Sequence, residues 1–90
     1  MNRPTRLDDM ADPIAAELGA KMGEMHKLAE QGLVLQADKH ARPVIALVNK
    51  IRNNSGLPSL GMEEEKALYR HLVDGNKKIA QRARDARNAV

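Results

Sequence analysis

Three histidines are the side chains of this sequence best suited to metal binding or proton transfer. His26, His40 and His71 do not show the HxxxH or HExxH spacing with which one helix holds a zinc ion. The chain has no cysteine, and its acidic runs lack the order of an EF-hand loop. We therefore expect no metal and no cofactor, with a zinc site assembled from distant histidines as the open alternative.

The hydroxyl groups carry no signature of a nucleophile. The sequence contains neither Gly-x-Ser-x-Gly nor a glycine-rich phosphate loop, and no hydroxyl has an evident activating base. A chain of 90 residues with little apolar volume also leaves little room for a substrate pocket. We therefore expect that the protein is not an enzyme and has no small-molecule substrate. The hydroxyl-bearing residues are Thr5, Ser55, Ser59 and Tyr69.

The composition favours helices packed around a thin core. Leu, Ile, Val and Phe together make up 19 of the 90 residues, against 13 alanines and five methionines. Alanine and methionine favour helices, but alanine adds little volume to a core. A small domain of this kind gains stability from oligomerisation. We predict an all-α fold, a small three-helix bundle that homodimerisation completes or extends.

Start and stop signals divide the chain into a basic arm and a helical domain. Residues 1–12 are predicted to be a mobile basic arm with a turn into the domain, 13–90. Asp12 and Pro13 form a helix start, and Gly32 lies where a C-cap glycine would end that helix. The turn-rich stretch NNSGLPSLG precedes the last helix. The predicted helices are 13–31, 34–53 and 61–88.

Pro43 leaves two alternatives for the second helix. Either one helix runs from about 34 to 53 with a kink, or a loop ends at Arg42 and the helix begins at Pro43. The run VIALV would also suit a buried strand, but the sequence offers no partner strand. Ser59 or a neighbour is expected to cap the third helix, which opens on three glutamates.

Two helices carry faces that favour contact with another protein. Gly19 and Gly23 stand four residues apart, and small side chains let another backbone approach closely. The partner is either the second helix or a second copy of the chain, and incidental glycines in an alanine-rich helix are the alternative. The methionines of this helix suit an adaptable surface or ordinary core packing. The predicted interface residues are Gly19, Met22, Gly23, Met25, Leu68, Leu72 and Ile79.

The third helix is acidic at its start and basic at its end, which the helix macrodipole alone favours by roughly 0.3–1 kcal/mol per charge. Four of its cations nevertheless fall on one line around the axis. A solvated polar face explains this line, and contact with nucleic-acid phosphates is the alternative. The residues of the second interpretation are Lys66, Arg70, Lys77, Arg84 and Arg87, assisted by Arg3 and Arg6.

Two functional hypotheses follow from these features. The first is a non-catalytic helical regulator, inhibitor or adaptor that binds itself and another protein. The second is a small DNA-associated regulator, in which Asn76, Gln81 and Asn88 are the amides available for base edges. A net charge of +3 is mild for a nucleic-acid coat. No apolar run approaches the roughly 18 residues of a membrane span, and the N-terminus lacks a signal-peptide core, so we expect a cytoplasmic protein.

Overall fold

The computed structural model describes residues 13–89, and within that range the regular secondary structure consists of α-helices, with no β-strand. The all-α prediction is therefore confirmed. The predicted basic arm at 1–12 lies outside the described residues, as does Val90. The four helices are α1 (Pro13–Glu30), α2 (Val34–Asp38), α3 (Ala41–Asn54) and α4 (Met62–Asn88).

Glycines in the left-handed backbone conformation follow the ends of both α1 and α3. Gly32 and Gly56 each have φ of +83°, a conformation that glycine adopts at little cost. The amide of Leu33 donates to the carbonyl of Leu28 at 2.9 Å, and the amide of Gly32 donates to the carbonyl of Ala29, also at 2.9 Å. This pair of bonds is the Schellman motif, and the same pattern follows α3 at Gly56. The C-cap predicted at Gly32 is present.

The segment predicted as one helix, 34–53, forms two helices, with Lys39 and His40 between α2 and α3. Pro43 lies in the first turn of α3, so it neither kinks a continuous helix nor begins one. A proline is tolerated there because first-turn amides have no acceptor within the helix. Ala37 and Ala41, on either side of the break, are completely buried. Their small size lets the two helix ends pack closely against the rest of the fold.

Helix α4 is capped by Gly61 rather than by Ser59. The Gly61 amide donates to Oε1 of Glu64 at 2.9 Å, which is the reciprocal half of a capping box. The Ser59 hydroxyl instead donates to Oδ1 of Asn53 at 3.4 Å. One of the opening glutamates thus caps the backbone as well as matching the helix dipole.

The core is thin, and four of the nine buried apolar residues in the described range are alanines. Helix α1 packs against the other three helices, and α3 packs against α4. The Cα extents of 49 × 37 × 15 Å describe a flat slab. The Cα radius of gyration, 15.8 Å, exceeds the ~12 Å of a compact chain of this length. A slab of this shape leaves broad helix faces in contact with solvent.

The side chain of Asn76 is buried within this slab, with 1% of its surface exposed. Its Nδ2 donates to Oδ1 of Asp38 at 2.9 Å, which joins α4 to the end of α2. A buried amide needs such a partner, and this one fixes how the two helices meet. Asn76 is therefore not available to contact a base edge, contrary to the expectation from sequence.

Candidate functional site

An open groove of about 850 Å³ lies between α3 and α4. Its volume is in the range of ligand-binding clefts, roughly 300–1,000 Å³. All of its lining residues belong to these two helices, and none comes from α1 or α2. Within residues 13–89, the groove is therefore a surface on which only α3 and α4 meet.

The floor of the groove is apolar. From α3 come Ile45, which is 7% exposed, and the smaller, exposed Ala46. From α4 come Met62, Tyr69 and Val73, and Met62 has 73% of its surface exposed. Apolar area in contact with water is area that a bound partner can bury with a gain in free energy.

The rim of the groove is predominantly basic. Arg42 projects from α3, and α4 supplies Lys66, Arg70 and Lys77, together with the carboxylates Glu65 and Asp74. Among the lining residues, four basic side chains against two acidic ones leave a formal charge of +2, and Nζ of Lys66 lies 3.8 Å from Oε2 of Glu63, one turn earlier on the helix. This charge favours an acidic partner.

Arg42 and Tyr69 connect the two walls. The guanidinium carbon lies 5.2 Å from the centre of the tyrosine ring, which is a cation–π distance. Tyr69 is half-buried and is one of the residues packed against the core cluster. One face of the only aromatic ring in the chain is thus occupied by a cation from the opposite wall.

Hydrogen bonds of Asn49 fix one end of the groove. Its Nδ2 donates to Oε2 of Glu65 at 3.0 Å, and its Oδ1 accepts the backbone amide of Leu60 at 2.8 Å. Nearby, Nε of Arg52 donates to the carbonyl of Pro58 at 2.9 Å. These bonds tie the connecting loop and the start of α4 to α3, so the groove walls are held before any ligand binds.

Four of the predicted interface residues, one on α1 and three on α4, pack against the core of the chain. Leu72 is 8% exposed and belongs to the core cluster, as does Met25 of α1 at 5%. Leu68 and Ile79 are partly buried and pack against the same cluster. These four side chains are therefore placed for contacts within the chain.

The small-residue face of α1 is open. Gly19, Gly23, Ala16 and Ala20 are all exposed, and a Cβ added at either glycine would meet no atom from elsewhere in residues 13–89 within 4 Å. Met22, on the same helix, has 42% of its surface exposed. Within residues 13–89 this face does not pack against the second predicted helix.

The basic line of α4 divides at the end of the groove. Lys66, Arg70 and Lys77 are groove residues, whereas Arg84 and Arg87 lie on the exposed end of the helix beyond it. The arm residues predicted to assist them lie outside the described range. The sequence did not indicate a binding surface formed by Arg42, Ile45, Ala46, Tyr69 and Val73.

The histidines lie in separate surroundings. Nε2 of His26 is 3.2 Å from Oε2 of Glu30, and Nδ1 of His40 is 4.0 Å from Oε1 of Glu24. His71 is exposed on α4. Over residues 13–89 no group of three or more His, Asp or Glu side chains is arranged to hold a metal ion. None of the helices there is both long and apolar enough to cross a bilayer.

Comparisons with protein-family models, with curated proteins and with solved structures found no match to this chain. What the groove can do must therefore be inferred from its geometry. It offers apolar contact area, four cations, two carboxylates and walls joined by hydrogen bonds. Such a surface is suited to binding.

Proposed function

We propose that this chain is a small, non-catalytic helical adaptor or regulator that binds another protein through the α3–α4 groove. The observation that carries this proposal is the apolar floor, on which Ala46 and Met62 are exposed, bordered by charged side chains. Protein interfaces have this anatomy, with an apolar centre and a polar rim, and they are enriched in methionine, tyrosine and arginine. Met62, Tyr69 and Arg70 are of these types.

The dimensions of the groove also favour a macromolecule. Its lining residues on α4 run from Met62 to Lys77, which is about 22 Å at 1.5 Å per residue. A small metabolite would leave most of that length uncovered. A protein segment can occupy all of it.

Homodimerisation is part of the same proposal. The exposed stripe of small residues on α1, with Gly19 and Gly23 at its centre, supports close packing against a second copy. A dimer couples folding to mass action, so its melting temperature rises with protein concentration. We expect such a rise over a hundredfold concentration series. An unchanged melting temperature over that range counts against the dimer.

Photo-crosslinking tests the groove itself. A photoreactive phenylalanine analogue replaces Ala46 on the groove floor, and a control carries it at Gln36, which is exposed on α2. Irradiation in extract of the source cells is expected to give a discrete protein adduct from position 46 that position 36 does not give. Adducts that are identical from both positions, or that contain only nucleic acid, contradict the proposal.

A DNA-associated regulator is the second candidate. Lys66, Arg70, Lys77 and Arg84 are exposed along one line of α4 that covers about 27 Å. Binding of a labelled mixed-sequence duplex, followed by fluorescence anisotropy at low and physiological salt, tests this candidate. Affinity that falls steeply with salt and is lost on charge reversal at Lys77 and Arg84 supports it. Unchanged binding by the charge-reversed protein refutes it.

A further inference from the structure

We infer that the occupant of the α3–α4 groove is an acidic amphipathic helix from a partner protein. This inference rests on the proposed function and names the class of partner that the groove fits. The periodicity of the lining residues, the charge of the rim and the limited length of α3 carry the inference.

The lining residues of α4 recur with the period of a helix-packing face. Starting at Met62, they follow the spacing i, i+3, i+4, i+7, i+8, i+11, i+12 and i+15 to Lys77. This is the row of ridges and grooves against which another helix packs. The residues of α3 that line the groove cover only 42–49, or about 10 Å, so α3 alone does not fill the face. A helix of roughly 15 residues laid along α4 matches it, as in other helix-in-groove complexes.

The charge of the rim determines which charged side chains the bound helix should carry. Lys66 and Arg70 are four residues apart, and Lys77 follows seven residues later, so all three project along one edge of the floor. Glutamates or aspartates on one flank of the bound helix would meet these cations, while its apolar face covers Tyr69 and Val73. Complementary charge of this kind raises the association rate and excludes wrong partners.

Nucleic acid fits the same groove less well. Glu65 and Asp74 line the groove together with the cations and would repel phosphates, and the floor is apolar. The Tyr69 ring, which a base would stack on, is already covered on one side by the guanidinium of Arg42. A helix can place neutral or basic side chains next to the two carboxylates, whereas a regular phosphate backbone cannot.

Synthetic peptides provide the probe. A fluorescein-labelled 15-residue helix carries leucine on one face and glutamate on the flank, and matched peptides carry glutamine or lysine in place of the glutamate. Anisotropy is measured against the full 90-residue chain at physiological salt. We expect the glutamate peptide to bind at least about tenfold more tightly than the glutamine peptide, with the lysine peptide weakest.

Paired variants locate the binding site. Arg70→Glu changes a groove cation, and Arg84→Glu makes the identical charge change on the same exposed line beyond the groove. Ala46→Arg fills the floor while adding a positive charge. We expect Arg70→Glu and Ala46→Arg to weaken the glutamate peptide by about tenfold or more and Arg84→Glu by less than about threefold. All three sites are exposed, and circular dichroism verifies folding; Lys66→Glu repeats the rim test if Ala46→Arg does not fold.

The outcomes separate the alternatives. Equal affinity for the glutamate and glutamine peptides overturns the inference, as does equal weakening by Arg70→Glu and Arg84→Glu. If Ala46→Arg strengthens binding of the glutamate peptide and also strengthens binding of duplex DNA, the surface is assigned to nucleic acid instead. If position 46 crosslinks to a protein but the glutamate peptide has no advantage, the proposed function stands and the acidic helix is wrong.

Discussion

Replacing Asn76 with aspartate tests how far the contact between α4 and α2 determines stability. The substitution is nearly isosteric, but it exchanges the Nδ2 donor for a second carboxylate facing Oδ1 of Asp38, at a site now spanned by a 2.9 Å bond. A hydrogen bond to a charged group is worth about 1.5–3 kcal/mol. An unpaired charge left at a position that is 1% exposed raises the total loss to about 3–5 kcal/mol. Chains of this length have a free energy of unfolding of roughly 5–13 kcal/mol, so the loss is large.

The loss should depend on pH in a direction that the contact fixes. Burial and the neighbouring carboxylate raise the pKa of the group that Asn76→Asp introduces above its value in the unfolded chain. The native variant therefore binds more protons than the unfolded variant, and its stability falls as pH rises through that range. On lowering the pH from 7 towards 5, we expect stability to recover by up to about 1.4 kcal/mol per unit.

Urea unfolding followed by circular dichroism at pH 5, 6 and 7 measures both effects. The matched control is Gln81→Glu, because Nε2 of Gln81 donates to Oδ1 of Asp85 at 3.0 Å on the exposed side of the same helix. That change repeats the amide-to-carboxylate exchange in water and should cost no more than about 0.5 kcal/mol. If Asn76→Asp costs as little as the control, or does not regain stability in acid, the role assigned to the buried amide is wrong.

Three further variants test the C-cap of α1, the hydrogen bonds of Asn49 and the small-residue stripe of α1. Gly32→Ala should cost about 1–2 kcal/mol in urea unfolding, because φ of +83° is unfavourable for alanine, and a negligible cost would contradict the capping role. Asn49→Ala removes two hydrogen bonds and should cost about 1–3 kcal/mol, whereas the exposed Asn54→Ala should be nearly neutral. Gly19→Ala combined with Gly23→Ala should raise the stability of dilute protein by up to about 2 kcal/mol, since alanine favours a helix and neither Cβ would clash with a side chain from 13–89. The same double variant should abolish the concentration dependence of melting if the stripe is the dimer contact, and a retained dependence would place the contact elsewhere.

Local signals in the sequence predicted most of the helical boundaries. Pro13 begins α1, and Gly32 follows its end with the φ that only glycine readily adopts. These features depend on a few adjacent residues, so the sequence contains them directly. An interruption of 34–53 was one of the two alternatives, but it was expected to end at Arg42, and its position at Lys39 and His40 was not predicted because neither residue disfavours a helix strongly. The buried Ala37 and Ala41 and the bond from Asn76 to Asp38 lie beside the break, and these are tertiary contacts that the local sequence does not show.

The groove was not predicted because periodicity shows which side of a helix is apolar but not which neighbour covers it. Tyr69 and Val73 follow Leu68 and Leu72 by one residue each, so they widen the apolar arc of α4 beyond its core stripe. Ile45 has the corresponding position beside Val44 on α3. The apolar arc of α4 is wider than a single neighbouring helix can cover. This width was the signal in the sequence for a second contact surface.

The only aromatic side chain among the 90 residues, Tyr69, lies in the groove beneath the guanidinium of Arg42. The near-ultraviolet absorption, circular dichroism and intrinsic emission of the protein therefore originate almost entirely at this one position. Unfolding of the distant end of α4 should be nearly silent in these spectra, whereas any event that moves Arg42 or covers the ring should alter them. An unmodified ligand without aromatic residues can thus be titrated directly, with the tyrosine signal of the native chain as the readout.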